Sequence, residues 1–146
     1  MKKTVKTMTI TVLFMALVGG TVLAHCQIPC GIYDDKMRIK MMEEHVTTIE
    51  KSIKEIEAGP NQNQAVRWVL NKEYHADELS DIVTYYFMAQ RIKPGMEGYT
   101  EKLSQLHEML VFSMKAKQTT DMAHVKKLRE LIHQFEHSYF EEDHTH

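Results

Sequence analysis

The sequence predicts an all-α protein, an antiparallel up-down four-helix bundle, and three observations carry that prediction. Apolar residues recur at steps of three and four in four separate runs, the period of a helix face turned toward a core. The breaks between the runs are short and hold residues that stop helices, Gly59-Pro60 and Pro94-Gly95 among them. Nowhere do apolar and polar residues alternate between hairpin turns as they do in a half-buried strand. At 146 residues, with 43% hydrophobic and 26% charged residues but only 6 Gly and 3 Pro, the chain has room for one domain with one core. A multidomain enzyme and a disordered or collagen-like chain are thereby excluded.

Residues 1–24 read as a leader that is removed. Lys2, Lys3 and Lys6 form a basic start, residues 8–20 an apolar stretch interrupted by Thr9 and Thr11, and Val22-Leu23-Ala24 offers the small or apolar residues a processing peptidase needs. Cleavage after Ala24 makes His25 the new N-terminus. The competing reading, a retained membrane anchor, needs about 20 apolar residues to span hydrocarbon, more than this stretch holds. Loss of the leader removes three lysines and no acid, so the net charge goes from −2 to −5 over the 122 residues that remain. The expected product is exported, periplasmic or extracellular, the alternative being a cytoplasmic protein after leader removal. Its mild acidity gives no reason to bind nucleic acid.

The bundle occupies residues 35–140. In its first helix Ile39, Met42, Val46, Ile49, Ile53 and Ile56 form a 3-4-3-4-3 seam that Gly59-Pro60 ends. A longer second run over 62–93 places Ala65, Val69, Ala76, Leu79, Ile82, Val83 and Tyr86 on one face. The third, over 99–117, uses Leu103, Leu106, Leu110 and Met114. The fourth, over 120–139, uses Met122, Val125, Leu128, Ile132, Phe135 and Tyr139. Residues 141–146 form a polar tail in which a frayed end is expected.

A bundle says nothing by itself about activity, so chemistry has to come from what is attached to it. The segment 25–34 reads His25-Cys26-Gln27-Ile28-Pro29-Cys30-Gly31-Ile32-Tyr33-Asp34. After processing, its first two residues offer an amine, an imidazole, a backbone amide and a thiolate. Amine and amide nitrogens close one small chelate ring, the Cys26 amide and sulfur close another, and Cys30 supplies a second sulfur. A planar set of two nitrogens and two sulfurs suits Ni(II) or Cu(II) rather than tetrahedral zinc, with the His25 imidazole above the plane as a fifth ligand. Four extended residue steps span about 13 Å, so the chain has to turn back between the cysteines, and Ile28-Pro29 and Gly31 are suited to that. A Cys26–Cys30 disulfide, or loosely held zinc, remains open on spacing alone. Neither gives a reason for a histidine at the cleavage point.

The pattern His-Cys-x-x-Pro-Cys-Gly-x-Tyr-Asp at a processed N-terminus resembles the nickel hook of the nickel-dependent superoxide dismutases. The resemblance is concentrated in these ten residues and extends in architecture over the mature chain. It implies nickel, one ion per subunit, held by the His25 amine and imidazole, the Cys26 amide and thiolate, and the Cys30 thiolate. It implies a four-helix bundle behind the hook, assembled as a homo-oligomer, a hollow hexamer. It also implies that Tyr33 stands at the mouth of the site as the candidate catalytic residue, with Tyr86-Phe87 as a further aromatic pair nearby. The substrate so implied is superoxide anion, disproportionated to dioxygen and hydrogen peroxide through a Ni(II)/Ni(III) cycle. Gln27 departs from the acid that members often carry after the first cysteine. A glutamate and an arginine that can hold the axial imidazole in the family are not cleanly matched in Arg38-Ile39-Lys40 or Lys72-Glu73-Tyr74-His75, where His75 is the nearest substitute for the arginine.

Superoxide is an anion and the mature chain is acidic, so attraction has to be local, and Lys36, Arg38 and Lys40 are the expected source. The spacing of His133 and His137 suits a metal but fixes no third ligand, and both read as surface histidines. Methionines read as core and subunit contacts, and His144 and His146 as part of the polar tail. The alternative to the enzyme is an exported, non-catalytic helical metal-binding protein using the same His/Cys segment.

Overall fold

The structure, a computed structural model, describes Pro29 and residues 31–140. The leader 1–24, the three expected nickel ligands His25, Cys26 and Cys30, and the tail 141–146 lie outside the described residues.

Four helices make up the described bundle. Helix α1 is Asp35–Glu57, opened by Asp34, whose carboxylate accepts the Met37 N–H at 2.9 Å. Gly59 at φ 68° and Pro60 then end the run. Helix α2 is Gln62–Asp81, capped in the same way by Asn61, and continues without a break into a π-helical segment, Ile82–Arg91. Helix α3 is Tyr99–Gln118 and α4 is Met122–Phe140, with Asp121 accepting the Ala123 N–H ahead of α4. Helix α1 packs on α2 and α4, and α3 on the same two, so the helices close a ring around one core, as short up-down connections require.

The α1 seam is as expected: Ile39, Met42, Val46, Ile49 and Ile53 are fully or almost fully buried, while Ile56 lies only partly covered at the end. Each such side chain removed from water contributes about 2 kcal/mol. In α4 the expected residues from Val125 to Tyr139 are buried, and Met122 packs partly against the core.

Two expectations need correction. In α2 the buried face begins at Lys72 and its apolar part only at Ala76, since Val69 is 40% exposed and Ala65 is half-buried. In α3 the buried stripe is Lys102, Leu106, Met109, Ser113 and Ala116: of the expected residues Leu106 is fully buried, Leu103 and Leu110 are partly buried against the core, and Met114 is 59% exposed. The rotation is possible because the polar members are satisfied: Lys102 Nζ donates to the Glu97 carbonyl at 2.8 Å and the Ser113 hydroxyl to the Ala76 carbonyl at 2.8 Å. Lys72 behaves similarly, donating to the carbonyls of Ala116, Lys117 and Thr119 at the end of α3, where burial lowers its pKa.

Candidate functional site

The end of segment 25–34 is a turn followed by a clamp. The Ile32 N–H donates to the Pro29 carbonyl at 2.9 Å, and Gly31 takes φ 79° at the third position of the turn. A Cβ at Gly31 would meet nothing within 4 Å, so glycine is required there by backbone conformation and not by space. The turn lies at and after the second cysteine, and the stretch before Pro29, where the chain was expected to turn back between the cysteines, is outside the described residues. Asp34 then caps α1, which leaves Tyr33 suspended between turn and helix.

Tyr33 is 40% exposed, and its ring lies over the Arg91 guanidinium with 4.4 Å from Cζ to the ring centroid. Its edge meets Tyr86 at 5.9 Å and 82°. Both partners are fixed from behind by Asp35. Arg91 donates from Nε at 2.9 Å to Oδ1 and from Nη2 at 2.6 Å to Oδ2; the Tyr86 hydroxyl donates at 2.5 Å and the Tyr139 hydroxyl at 2.9 Å. Burial alone would raise the Asp35 pKa, but these donors outweigh it and hold the carboxyl below the usual range. Burial and the Asp35 carboxylate push both tyrosine hydroxyls up, which keeps them protonated donors.

The π-helical winding is what allows this convergence. Residues five apart are separated by about 50° in a π-helix but about 140° in an α-helix. Tyr86 and Arg91 therefore reach the same carboxylate, and the Ile92 N–H closes the segment on the Phe87 carbonyl at 2.9 Å. Behind them Phe87, Phe135 and Tyr139 pack edge-on or stacked at 5.0 to 5.6 Å, which removes the rotamer freedom of the clamp.

Beside the turn is a cavity of about 210 Å³ whose walls include Pro29, Arg38, Met41, Glu78 and Tyr86. Arg38 sits over the Tyr86 ring at 5.0 Å, and its Nε is buried with no acceptor among the described residues. Arg38 is half-buried, and its Nη1 lies 3.9 Å from the Met41 sulfur. Lys40 is tied loosely to Glu44 at 3.9 Å, and Lys36 lies over the Phe140 ring at 5.7 Å. His75 stands at another place: its Nδ1 is 2.8 Å from Nδ1 of His45, the two rings bridging α2 and α1.

Of the aromatic pair expected near the site, Tyr86 is in the clamp and Phe87 supports it. Sequence reasoning missed Asp35, Arg91 and Tyr139. Their only signal was chemical type, because 56 positions separate Arg91 from Asp35 and 104 separate Tyr139 from it.

The described residues define a closed four-helix bundle with a turn, Pro29–Ile32, and Tyr33 held against one end of it. The family model for nickel-containing superoxide dismutase matches residues 20–143, and the chain belongs to that family. It is an oxidoreductase that dismutates superoxide, and nickel is its cofactor. No curated protein and no solved structure matches the chain.

The chain's own residues fit nickel. The histidine and two cysteines of the N-terminal segment, which lie outside the described residues, would offer the nitrogen and anionic sulfur donors that nickel takes, and beside the Pro29 cavity the Arg38 Nε is buried with no acceptor among the described residues.

Proposed function

We propose that the mature protein starts at His25 and that His25, Cys26 and Cys30 hold one nickel ion per subunit, with Tyr33 as the hydroxyl-bearing residue at the mouth of the site. Bound nickel supplies a one-electron Ni(II)/Ni(III) couple, which thiolate and amidate donors bring into range for superoxide. The protein's contribution is to hold the ligand segment against the bundle and to keep the Tyr33 hydroxyl close to it. The observation that carries this reading is the clamp, in which the turn at Pro29–Ile32 leads into Tyr33 and Tyr33 rests on Arg91, itself fixed by Asp35.

The reading extends to processing, location and assembly. A leader over 1–24, removed by a general or a dedicated peptidase, sends the protein to the periplasm or outside the cell. No helix among the described residues is long and apolar enough to cross a membrane. Homohexamer assembly is supported by an apolar stripe on α2: Val66, Leu70 and Tyr74, one turn apart, are 54%, 63% and 58% exposed. Such a stripe is a face that other copies cover.

The test is a mature protein with one additional alanine before His25, loaded with nickel beside the authentic N-terminus. The alanine converts the His25 amine into an amide and displaces the imidazole, so nickel content and superoxide turnover should both collapse. Equal nickel occupancy and equal turnover in the two proteins would exclude the amine as a ligand and the hook with it.

A further inference from the structure

We propose that Glu43 of α1 with His133 and Glu136 of α4 forms a second divalent-metal site, of the zinc class, that ties these two helices together on the outer face of the bundle. One ligand atom from each of the three residues lies within 4.8 Å of the others, and His133 Nδ1 is 3.5 Å from Glu43 Oε1. Around a tetrahedral ion with bonds near 2.1 Å, ligand atoms sit about 3.4 Å apart, so rotamer adjustment alone closes the set. His133 and Glu136 are one helical turn apart and share a side of α4.

Charge favours a cation here. Neither carboxylate is paired with a lysine or arginine among the described residues. The cations around the site are engaged elsewhere, Lys40 with Glu44 at 3.9 Å and Arg129 with Glu50 at 2.9 Å. Two carboxylates around a neutral imidazole balance a divalent ion, and the imidazole selects a transition metal over calcium or magnesium. An open groove of about 590 Å³ between α1 and α4, lined by Glu43, Thr47, Arg129 and His133 among others, leaves room for water to complete the coordination.

The donor set also separates this site from the hook. It has no sulfur and no backbone nitrogen, and the zinc it would hold has no redox couple, so it adds no redox chemistry. Its effect is to cross-link two helices and to stabilise the folded chain by mass action.

The test uses the nickel-loaded mature protein, dialysed against increasing zinc, with both metals counted and the thermal midpoint followed. One zinc per chain should bind with nickel retained, and the midpoint should rise. His133→Ala and Glu43→Gln, both at solvent-accessible positions, should each weaken zinc binding about tenfold or more and abolish the rise, with nickel content and superoxide turnover unchanged. Glu136→Gln should behave alike. The proposal is overturned if zinc enters only by displacing nickel, if His133→Ala binds zinc as tightly as the parent, or if no zinc binds at millimolar concentration.

Discussion

Arg91, the last residue of the π-helical segment, forms a doubly hydrogen-bonded ion pair with Asp35, the first residue of α1. The pair is mostly buried on the Asp35 side, at 13% side-chain exposure, and two tyrosine hydroxyls complete the carboxylate's shell. Asp35→Asn keeps the shape but leaves the guanidinium without its counter-charge, which should cost on the order of 2 kcal/mol in a denaturant melt. The pH dependence has a definite sign. Because the folded pKa is depressed, the stabilisation is complete above the unfolded value of about 3.9 and is lost as pH falls through the folded one. The parent should therefore lose stability more steeply than Asp35→Asn at acid pH, and parallel acid melts would refute the assignment.

Tyr33 has two separable parts, a ring on Arg91 and a hydroxyl that we propose serves the mouth of the site. Tyr33→Phe keeps the ring contact, so nickel content should be normal while superoxide turnover falls about tenfold or more. Tyr33→Ala removes both and should also speed nickel loss to a chelator. Full turnover in the phenylalanine variant would confine Tyr33 to packing.

Ile49 is completely buried in the middle of α1. Ile49→Asp places a carboxylate there with no partner, a cost of several kcal/mol that exceeds what most single domains can lose. Circular dichroism should show loss of the cooperative helical melt, whereas a parent-like melt would mean that the seam is misplaced.

The His45–His75 contact predicts a second pH effect. Burial and the facing His75 lower the His45 pKa, against opposing pulls from Glu78 and Glu44, so the folded chain holds His45 neutral where the unfolded chain protonates it. Stability should rise with pH on passing upward toward the ordinary value of about 6.5 and level off above it. His45→Gln should flatten that rise. The other histidines are common to both proteins, so the difference between the two curves reports the His45–His75 contact.

What was legible in the sequence follows from how locally each feature is specified. The α1 seam and most of α4 could be read because their buried residues are apolar and evenly spaced. The α3 stripe was only partly legible: Leu106 is in it, but its centre is shifted toward Lys102 and Ser113, polar residues that lie in the core, each satisfied by a carbonyl that is distant or beyond the helix start. The family was legible in a contiguous pattern of residue types, and the match over residues 20–143 agrees with nickel and superoxide dismutation, while the expected ligands His25, Cys26 and Cys30 lie outside the described residues. The clamp was illegible because its members are brought together only by the bundle, and because a π-helical stretch leaves no clear trace in apolar spacing: Ile82, Val83, Tyr86 and Phe87 are buried in it and would be buried in an α-helix too.

The π-helical segment also bears on how the chain tolerates insertions and deletions. A helix that gains one residue can keep its two ends in register by widening a turn around the extra residue, and the inserted position is then hidden in an unbroken rod. Removing one exposed residue from this stretch, such as Ala89, should let it rewind as an α-helix and swing Arg91 away from Asp35 while the four helices stay packed. A one-residue gap in an alignment at this place would thus mark a change in how the N-terminal turn is gripped, even between chains whose bundles superpose.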